Sequence, residues 1–290
     1  MFQIGGIVFV IATVFGGYVL AGGKFDVILH ALPYEGTQIL GAAIGAMLIA
    51  STGTMIKKIV GDFAKVMSGS KWKEQDYVDL LCLMFALTKT MKSKGLIALE
   101  QHIEKPEEST IFSKYPKIVK DHFALDFICD TIRMMTMNLE DPHQVETAME
   151  KLLEKHHHEA SVPAVAMQNM ADGMPALGIV AAVLGVIKTM GSITEPPEIL
   201  GEMIGGALVG TFFGVFMAYG FVGPMASRLK SAYDEEALFY HVIRDVLVSH
   251  LHGNAAQISV EIGRGSVPTH FQPSFAKLEE ALNAIPAEKS

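Results

Sequence analysis

The chain has 290 residues, of which half are apolar and 19% are charged, whereas soluble domains average about 25% charged residues. Its formal net charge of −8 argues against nucleic acid as a partner, because phosphate binding needs a basic surface. The only two cysteines, Cys82 and Cys129, argue against a disulfide framework and favour a reducing compartment.

The charges are unevenly distributed along the chain. Residues 1–56 contain only Lys24, Asp26 and Glu35 as charged side chains, whereas 57–160 is dense in lysine, glutamate and aspartate. A bilayer core about 30 Å thick needs roughly 20 apolar residues of helix. The segments that qualify as membrane spans are 2–23, about 37–53, 173–193 and about 201–226.

Basic residues predict the orientation of these spans. Lys57, Lys58, Arg228 and Lys230 flank the inner ends, whereas the turn 194–200 carries glutamates and no base. The predicted fold is therefore an all-α integral membrane protein with four transmembrane helices, a large helical cytoplasmic loop and a helical cytoplasmic tail. The predicted domains are 1–53 (spans one and two), 54–171 (cytoplasmic loop), 172–226 (spans three and four) and 227–290 (cytoplasmic tail).

Helical periodicity predicts the elements of the cytoplasmic part. Apolar residues recur every three or four positions in 75–104, where Gly95 interrupts the pattern, and again in 122–139. Pro142 opens a helix over 142–160 at a position that tolerates proline. In the tail we expect a helix over 231–254, irregular chain or a short helix over 255–268, and a helix over 274–285 that Ser274 caps.

Enzymatic and metal-binding motifs are missing from the sequence. The run His156-His157-His158 resembles a metal site, but neighbouring residues on a helix point in different directions, so a solvated helix surface is the favoured interpretation. The sequence contains no His-Glu-x-x-His helix, phosphate-binding glycine loop or Gly-x-Ser-x-Gly elbow. We therefore expect no enzyme and no cofactor.

Small residues and two prolines mark the predicted spans. Glycines recur every three or four positions in 41–46, 178–185 and 205–214, a pattern that permits close helix packing within one subunit or in an assembly. Pro175 is either a helix-start proline or part of a bend, and Pro224 is expected to kink or hinge the fourth span. Thr211 either bonds its own helix or presents a hydroxyl in the membrane.

Ionisable residues are expected only near the ends of the spans, at Lys188 and Glu202. Ion transfer through hydrocarbon needs an ionisable relay, and none is predicted in the middle of a span. If an ion pathway exists, a partner helix must bring the carboxylate.

Several stretches resemble the MotA family of flagellar motor stator subunits. They are 12-ATVFGGYVLAGG-23, 78-VDLLCLMFALTKTMKSKGLIALEQHIEKPEES-109, 111-IFSKYP-116, 175-PALGIVAAVLG-185 and 209-VGTFFGVFMAYGFVGP-224. The resemblance implies a pentamer in the bacterial inner membrane, with both termini cytoplasmic, around a MotB-type partner whose single span carries the ion-binding aspartate. It also implies that ion flow drives rotation against the rotor protein FliG.

The resemblance also implies roles for individual residues. Pro175 and Thr211 match ion-pathway positions, and Pro175 and Pro224 match the family's two prolines. Lys92 and Glu100 match its charged rotor-contact residues, although arginine is common at the first position and lysine lacks its planar fork. Ala182 stands where sodium-driven relatives have threonine, so one oxygen for a dehydrated ion is absent and the expected coupling ion is a proton.

Two other functions stay open at this point. A relative of ExbB or TolQ would use a similar assembly to energise outer-membrane processes, but such proteins typically have three spans and an outer N-terminus. A membrane scaffold that moves no ion is the third hypothesis.

Overall fold

The computed structural model describes residues 2–137 and 141–285, and the regular elements of this part of the chain are all helical. The α-helices are α1 (Phe2–Leu20), α2 (Asp26–Ala50), α3 (Gly53–Met67), α4 (Glu74–Lys94), α5 (Glu100–Glu104), α6 (Pro116–Val119), α7 (His122–Thr136), α8 (Pro142–Met190), α9 (Pro197–Met217), α10 (Gly223–Leu251), α11 (Ala256–Gly265) and α12 (Phe275–Asn283). Short 3₁₀ turns cover Leu96–Leu99, Pro106–Glu108 and Phe112–Lys114, and a π-helical turn covers Ala218–Val222.

The chain divides into two compact units, and each takes two separate stretches of sequence. The first, called the apolar unit below, comprises the described parts of Met1–Gly69 and Ala160–Ala232. The second, called the polar unit, comprises the described parts of Ser70–Glu159 and Tyr233–Ser290. The membrane and cytoplasmic domain boundaries expected from the sequence stay predictions.

Helices α2 and α9 of the apolar unit pack side by side through small residues. A Cβ atom added to Gly205 would lie 3.1 Å from Val27 Cγ1, and one added to Gly206 would lie 3.7 Å from Ala31 Cβ. Residues with higher sequence numbers on α2 contact residues with higher sequence numbers on α9, so the two helices run parallel. Glycine on α9 is what allows this approach in an apolar medium, where close van der Waals contact holds helices together.

Helices α8 and α9 meet backbone to backbone. A Cβ atom on Gly178 would lie 2.8 Å from Gly210 O and 3.2 Å from Gly214 Cα, and one on Gly185 would lie 2.6 Å from Ala207 Cβ. Residues later in α8 contact residues earlier in α9, so these two helices are antiparallel. The glycines in 178–185 and 205–214 therefore serve packing within one subunit, whereas Gly41 and Gly45 have no atom within 4 Å of an added Cβ.

Helix α1 attaches to the apolar unit through aromatic rings. Phe15 contacts Phe212 and Phe216 of α9 with ring centroids 6.0 and 5.4 Å apart, both edge to face. No residue of α1 is buried, and most of its exposed side chains are apolar. Such a helix needs lipid or another apolar surface around it.

The polar unit has a continuous hydrophobic core in which α4 is mostly buried. Trp72 is fully buried and stacks on Phe239 with ring centroids 3.8 Å apart. Asp121 caps α7 by accepting a hydrogen bond from Ala124 N at 2.8 Å, and it also accepts from Lys71 and from Tyr240 Oη. These contacts join segments that are distant in sequence.

Local signals predicted several helix ends correctly. Helix α4 ends before Gly95, whose φ of +81° disfavours other residues, and α8 begins at Pro142. Ser274 caps α12 by accepting from Lys277 N at 3.3 Å. The region 255–268, where the sequence allowed either irregular chain or a short helix, contains the short helix α11.

Helix α8 is one helix of 49 residues, so residues 142–160 continue into the predicted third span. The second span differs from the sequence prediction. Helix α2 begins at Asp26 and not near residue 37. Among the described residues, three helical stretches are long and apolar enough to cross a membrane, namely Phe2–Leu20, Pro142–Met190 and Pro197–Leu251. Helix α2 falls outside this set, and the count of four spans stays a prediction.

Candidate functional site

Pro175 lies in the interior of α8 and does not start a helix. The interpretation as a helix-start proline is therefore wrong, because α8 has already run for many residues when it reaches this position. Proline has no N–H, so the carbonyl of Ala171 loses its hydrogen bond within the helix. The helix continues because neighbouring α9 packs tightly here: a Cβ atom on Gly214 would lie 2.7 Å from Met174 O.

The three predicted pathway residues gather around the crossing of α8 and α9. Thr211 Cα lies 3.3 Å from the position that a Cβ on Gly178 would take. Pro175 and Ala182 are three residues before and four residues after Gly178, so they lie one turn away on either side. All three predicted residues are half-buried in the subunit. The three predicted residues thus contribute two small side chains and a hydroxyl, and none of them carries a carboxyl group.

Pro224 lies next to a break in the regular helix. Helix α9 passes into the π-helical turn Ala218–Val222, and Pro224 is the second residue of α10. Both π-turns and prolines interrupt the regular hydrogen-bond ladder and kink helices. A Cβ on Gly223 would lie 4.0 Å from Ala171 Cβ, so this break lies beside the carbonyl that Pro175 leaves unpaired. The two interruptions are neighbours in the apolar unit, which a hinge at these prolines requires.

The two predicted rotor-contact residues lie at the surface of the polar unit. Lys92 is exposed in the last turn of α4, and Glu100 is exposed at the start of α5. Burial lowers the pKa of His250, and the charge of Lys92 acts in the same direction. An open groove of about 800 Å³ follows α4; its lining includes Lys94, Ile97 and Glu100. Ile97 is 81% exposed, so the groove combines an apolar side chain with charges of both signs.

The histidine run is more buried than the sequence suggested. His156 stacks on Phe123 with ring centroids 3.5 Å apart and meets Tyr240 edge to face. His157 Nε2 lies 3.3 Å from Asp234 Oδ1. The prediction of a solvated surface is therefore wrong for His156, which packs against aromatic rings. Within residues 2–137 and 141–285, no group of three histidine, cysteine or acidic residues could hold a metal ion.

Glu35 is the ionisable residue that the sequence prediction left outside the spans. It lies inside α2, is only 8% exposed, and faces Gly210 of α9. The spacing of Val27, Ala31 and Glu35, four residues apart, is the signal that could have placed it on the packed face of a helix. The polar residues near the start of α2 concealed that signal, since they made the span seem to begin later.

Comparison with known proteins connects this arrangement with a family. Residues 4–95 match the model of the motility protein A N-terminal region, and residues 120–241 match the MotA/TolQ/ExbB proton channel family. The fold is similar to that in the structure of C. jejuni MotAB, with a TM-score of 0.70, 19% identity, and coverage of 92% of this chain and 95% of that one. It is also similar to the flagellar MotAB stator complex from Bacillus subtilis, with a TM-score of 0.67, 22% identity, and coverage of 96% and 98%.

Sequence identity carries the assignment further than the fold alone. Motility protein A of Salmonella typhimurium is 38% identical over 280 residues, which cover 97% of this chain and 94% of that protein. Since the similarity extends over nearly the whole of both sequences, the chain belongs to the motility protein A (MotA) family.

Proposed function

We propose that the chain is the membrane subunit of a flagellar motor stator, which converts ion flow into torque on the rotor. The observation that carries this proposal is the 38% identity with a motility protein A over 97% of the chain. The role is non-enzymatic. The partner is a MotB-type protein with a single span that carries the ion-binding aspartate, and the assembly is a pentamer of this chain around that partner in the bacterial inner membrane.

The proposed topology has four spans and both termini in the cytoplasm. The spans are α1, α2, the C-terminal part of α8, and α9. The parallel packing of α2 with α9 and the antiparallel packing of α8 with α9 support this order, because spans two and four then both run inward. Lys57 and Lys58 after α2, and Arg228 and Lys230 after α9, mark the cytoplasmic side.

In this proposal the crossing of α8 and α9 surrounds the partner's aspartate. Pro175, Ala182 and Thr211 line its surroundings and supply no charge of their own. The apolar exposed side chains of α8, such as Val183 and Val186, give the partner helix or lipid a surface to pack on. The coupling ion is a proton, since Ala182 supplies no oxygen with which to replace a sodium ion's hydration shell.

Protonation of the aspartate would change the packing at the crossing, and the bend at Pro175 and Pro224 would transmit that change. The exposed Lys92 and Glu100 then act on the rotor protein FliG. The groove beside Glu100 offers an apolar and charged surface of the kind that a protein partner contacts.

Replacing Pro175 with glutamate tests the pathway. We expect loss of torque and of proton flux together with normal insertion, because a second carboxylate at the crossing changes the charge that the partner's aspartate meets. Pro33→Leu is the control, since Pro33 also lies inside a helix but outside the α8–α9 crossing. Swimming of cells with the Pro175→Glu protein at the speed of the control would refute the pathway.

The ion is tested separately with cells that swim in sodium-free medium. We expect their swimming to continue there and to stop when a protonophore collapses the proton gradient. Swimming that needs added sodium would show that the ion assignment is wrong and would leave the stator assignment intact.

Replacing Glu100 with lysine tests the rotor surface. We expect weaker torque with normal proton flux, because the residue lies on the polar unit away from the pathway residues in sequence. The control is Glu107→Lys, a charge reversal at another exposed glutamate that lies outside the lining of the groove. Equal loss of proton flux and torque in Glu100→Lys would contradict this division of roles.

A further inference from the structure

Glu35 occupies a closed junction of three helices. A Cβ atom on Gly210 would lie 2.5 Å from Glu35 Oε2 and 3.2 Å from Ala181 Cβ. The carboxyl group of α2 is therefore held against α9 at the point where Ala181 of α8 also packs. With any larger residue at position 210 the carboxyl group would have to move from this place.

This carboxyl group meets the α8–α9 pair on a different face from the proposed pathway. It contacts Gly210 and lies beside Ala181, whereas the pathway residues are Thr211 and Ala182. Successive residues of an α-helix point about 100° apart, since a turn contains 3.6 residues. Glu35 is thus not one more residue of the pathway lining.

The position is deep in the proposed membrane segment. Glu35 is nine residues into α2, or about 14 Å along the axis at 1.5 Å per residue, in a hydrocarbon layer about 30 Å thick. Gly210 is 13 residues into α9, which also places it well inside. Both positions place the junction well inside the proposed hydrocarbon layer.

The acceptor oxygen at this junction has no hydrogen-bond donor. Oε2 of Glu35 is buried and makes no hydrogen bond with any described residue. Among the described residues, Lys188 is the charged side chain that acts electrostatically on Glu35. Lys188 is exposed and lies seven residues beyond Ala181 on α8, about 10 Å along the helix axis.

For a buried carboxyl group without a partner, the ionised form is much less stable than the neutral acid. Buried acids that lack a paired cation become neutral by taking up a proton, because a charge loses far more solvation energy than a neutral acid does. Carboxyl groups inside membrane segments commonly bind the protons or cations that a protein moves or senses. A proton also fits this junction, whereas among the described residues no group of three histidine, cysteine or acidic side chains could hold a metal ion.

We propose that Glu35 is a proton-binding site supplied by this chain, which holds a proton on its carboxyl group at neutral pH while α2 is packed on α9. The site is additional to the partner's aspartate and rests on the proposed four-span topology. Because the junction is closed, proton exchange requires α2 to separate from α9. Lys188 and the start of α2 lie toward the outer side, so the site exchanges with that side.

Infrared difference spectroscopy of the complex in lipid vesicles tests this proposal. At pH 7 the wild type should show a C=O stretching band of a protonated carboxylic acid, which shifts in D₂O and is lost in Glu35→Gln. Glutamine matches glutamate in size and is neutral, so packing on α9 is kept. The control Glu202→Gln removes an exposed carboxylate from α9 and should leave the acid band unchanged.

A second variant leaves the carboxyl group in the chain. Gly210→Ala places a methyl group where Oε2 now lies, so the carboxyl group must move and the acid band should weaken or shift. Gly201→Ala is the matched control on α9, because no atom lies within 4 Å of its added Cβ. This pair remains informative if Glu35→Gln does not assemble.

The outcomes separate this site from the stator function. A wild type without the acid band, together with loss of carboxylate bands in Glu35→Gln, would overturn the proposal, and so would a carboxylate band of Glu35 that depends on sodium. An acid band in a complex that neither conducts protons nor produces torque would support the site while the proposed function failed. Normal torque with an ionised Glu35 would support the stator function and refute the proton-binding site.

Discussion

Replacing Gly178 with alanine adds one methyl group where the backbones of α8 and α9 meet. The added Cβ would lie 2.8 Å from Gly210 O, 3.2 Å from Gly214 Cα and 3.3 Å from Thr211 Cα. These neighbours are all backbone atoms, so no side chain can rotate away and the two helices must separate. Overpacking of this kind costs about 1–3 kcal/mol.

Gly173→Ala is the matched control on the same helix, since no atom lies within 4 Å of its added Cβ. Both substitutions gain the same helix propensity, about 1 kcal/mol, so their difference isolates the clash. A difference of about 1–3 kcal/mol corresponds to a Tm lower by roughly 2–12 °C, at about 2–4 °C for each kcal/mol.

Thermal unfolding of the two purified variants in detergent, followed by helical circular dichroism, measures this difference. The proton flux of Gly178→Ala should fall as well, because the added methyl group displaces the backbone at Thr211. If Gly178→Ala is as stable as Gly173→Ala to within about 0.5 kcal/mol, the close packing of α8 on α9 is not as described.

Three further predictions concern the polar unit. Trp72→Ala removes a fully buried ring that stacks on Phe239, so we expect a loss of about 3–5 kcal/mol, measured by chemical unfolding of the full chain. Burial, with a smaller effect of nearby positive charge, lowers the pKa of His241; the unfolded chain then binds more protons, and stability should fall as the pH drops below about 6.5. Burial raises the pKa of Cys82 to about 11 and that of Cys129 to about 12, so neither thiol should react with iodoacetamide at pH 7 in the native protein, as mass spectrometry would show.

Each of these predictions has a control. Phe275→Ala removes a ring that is 58% exposed and should cost far less than Trp72→Ala. His241→Asn should flatten the dependence of stability on pH, and an unchanged slope would contradict the role of that histidine. Both thiols should react after denaturation, whereas rapid labelling of either one in the native protein would refute its burial.

Local features of the sequence determined most of the helices. Periodic apolar residues, the proline at 142, the glycine at 95 and the serine at 274 each act on the backbone within one or two turns. Their effect does not depend on what packs nearby, so the beginning or end of α4, α8 and α12 could be predicted. Long apolar runs likewise predicted candidate membrane helices at α1, the C-terminal part of α8 and α9, because hydrocarbon thickness sets how many apolar residues a span needs.

The resemblance of short motifs to the MotA family supplied what these local patterns do not contain. It predicted Pro175, Ala182 and Thr211 as a group, although they belong to two different helices. The structure brings the three to one crossing, yet their roles in ion transfer, and those of Lys92, Glu100 and Pro224, stay predictions. The fold of one chain determines where these residues lie, whereas their roles in a motor depend on partner proteins and on motion.

Tertiary structure alone decided the features that rest on contacts between distant segments. A proline at position 175 locally suggests a helix start, but packing against α9 keeps α8 continuous through it. The polar residues of α2 locally suggest a loop, but glycines on α9 let that helix dock and enclose Glu35. In both places the free energy of packing between helices exceeds a local preference of the backbone, and a sequence read in short windows contains no record of which helix lies alongside.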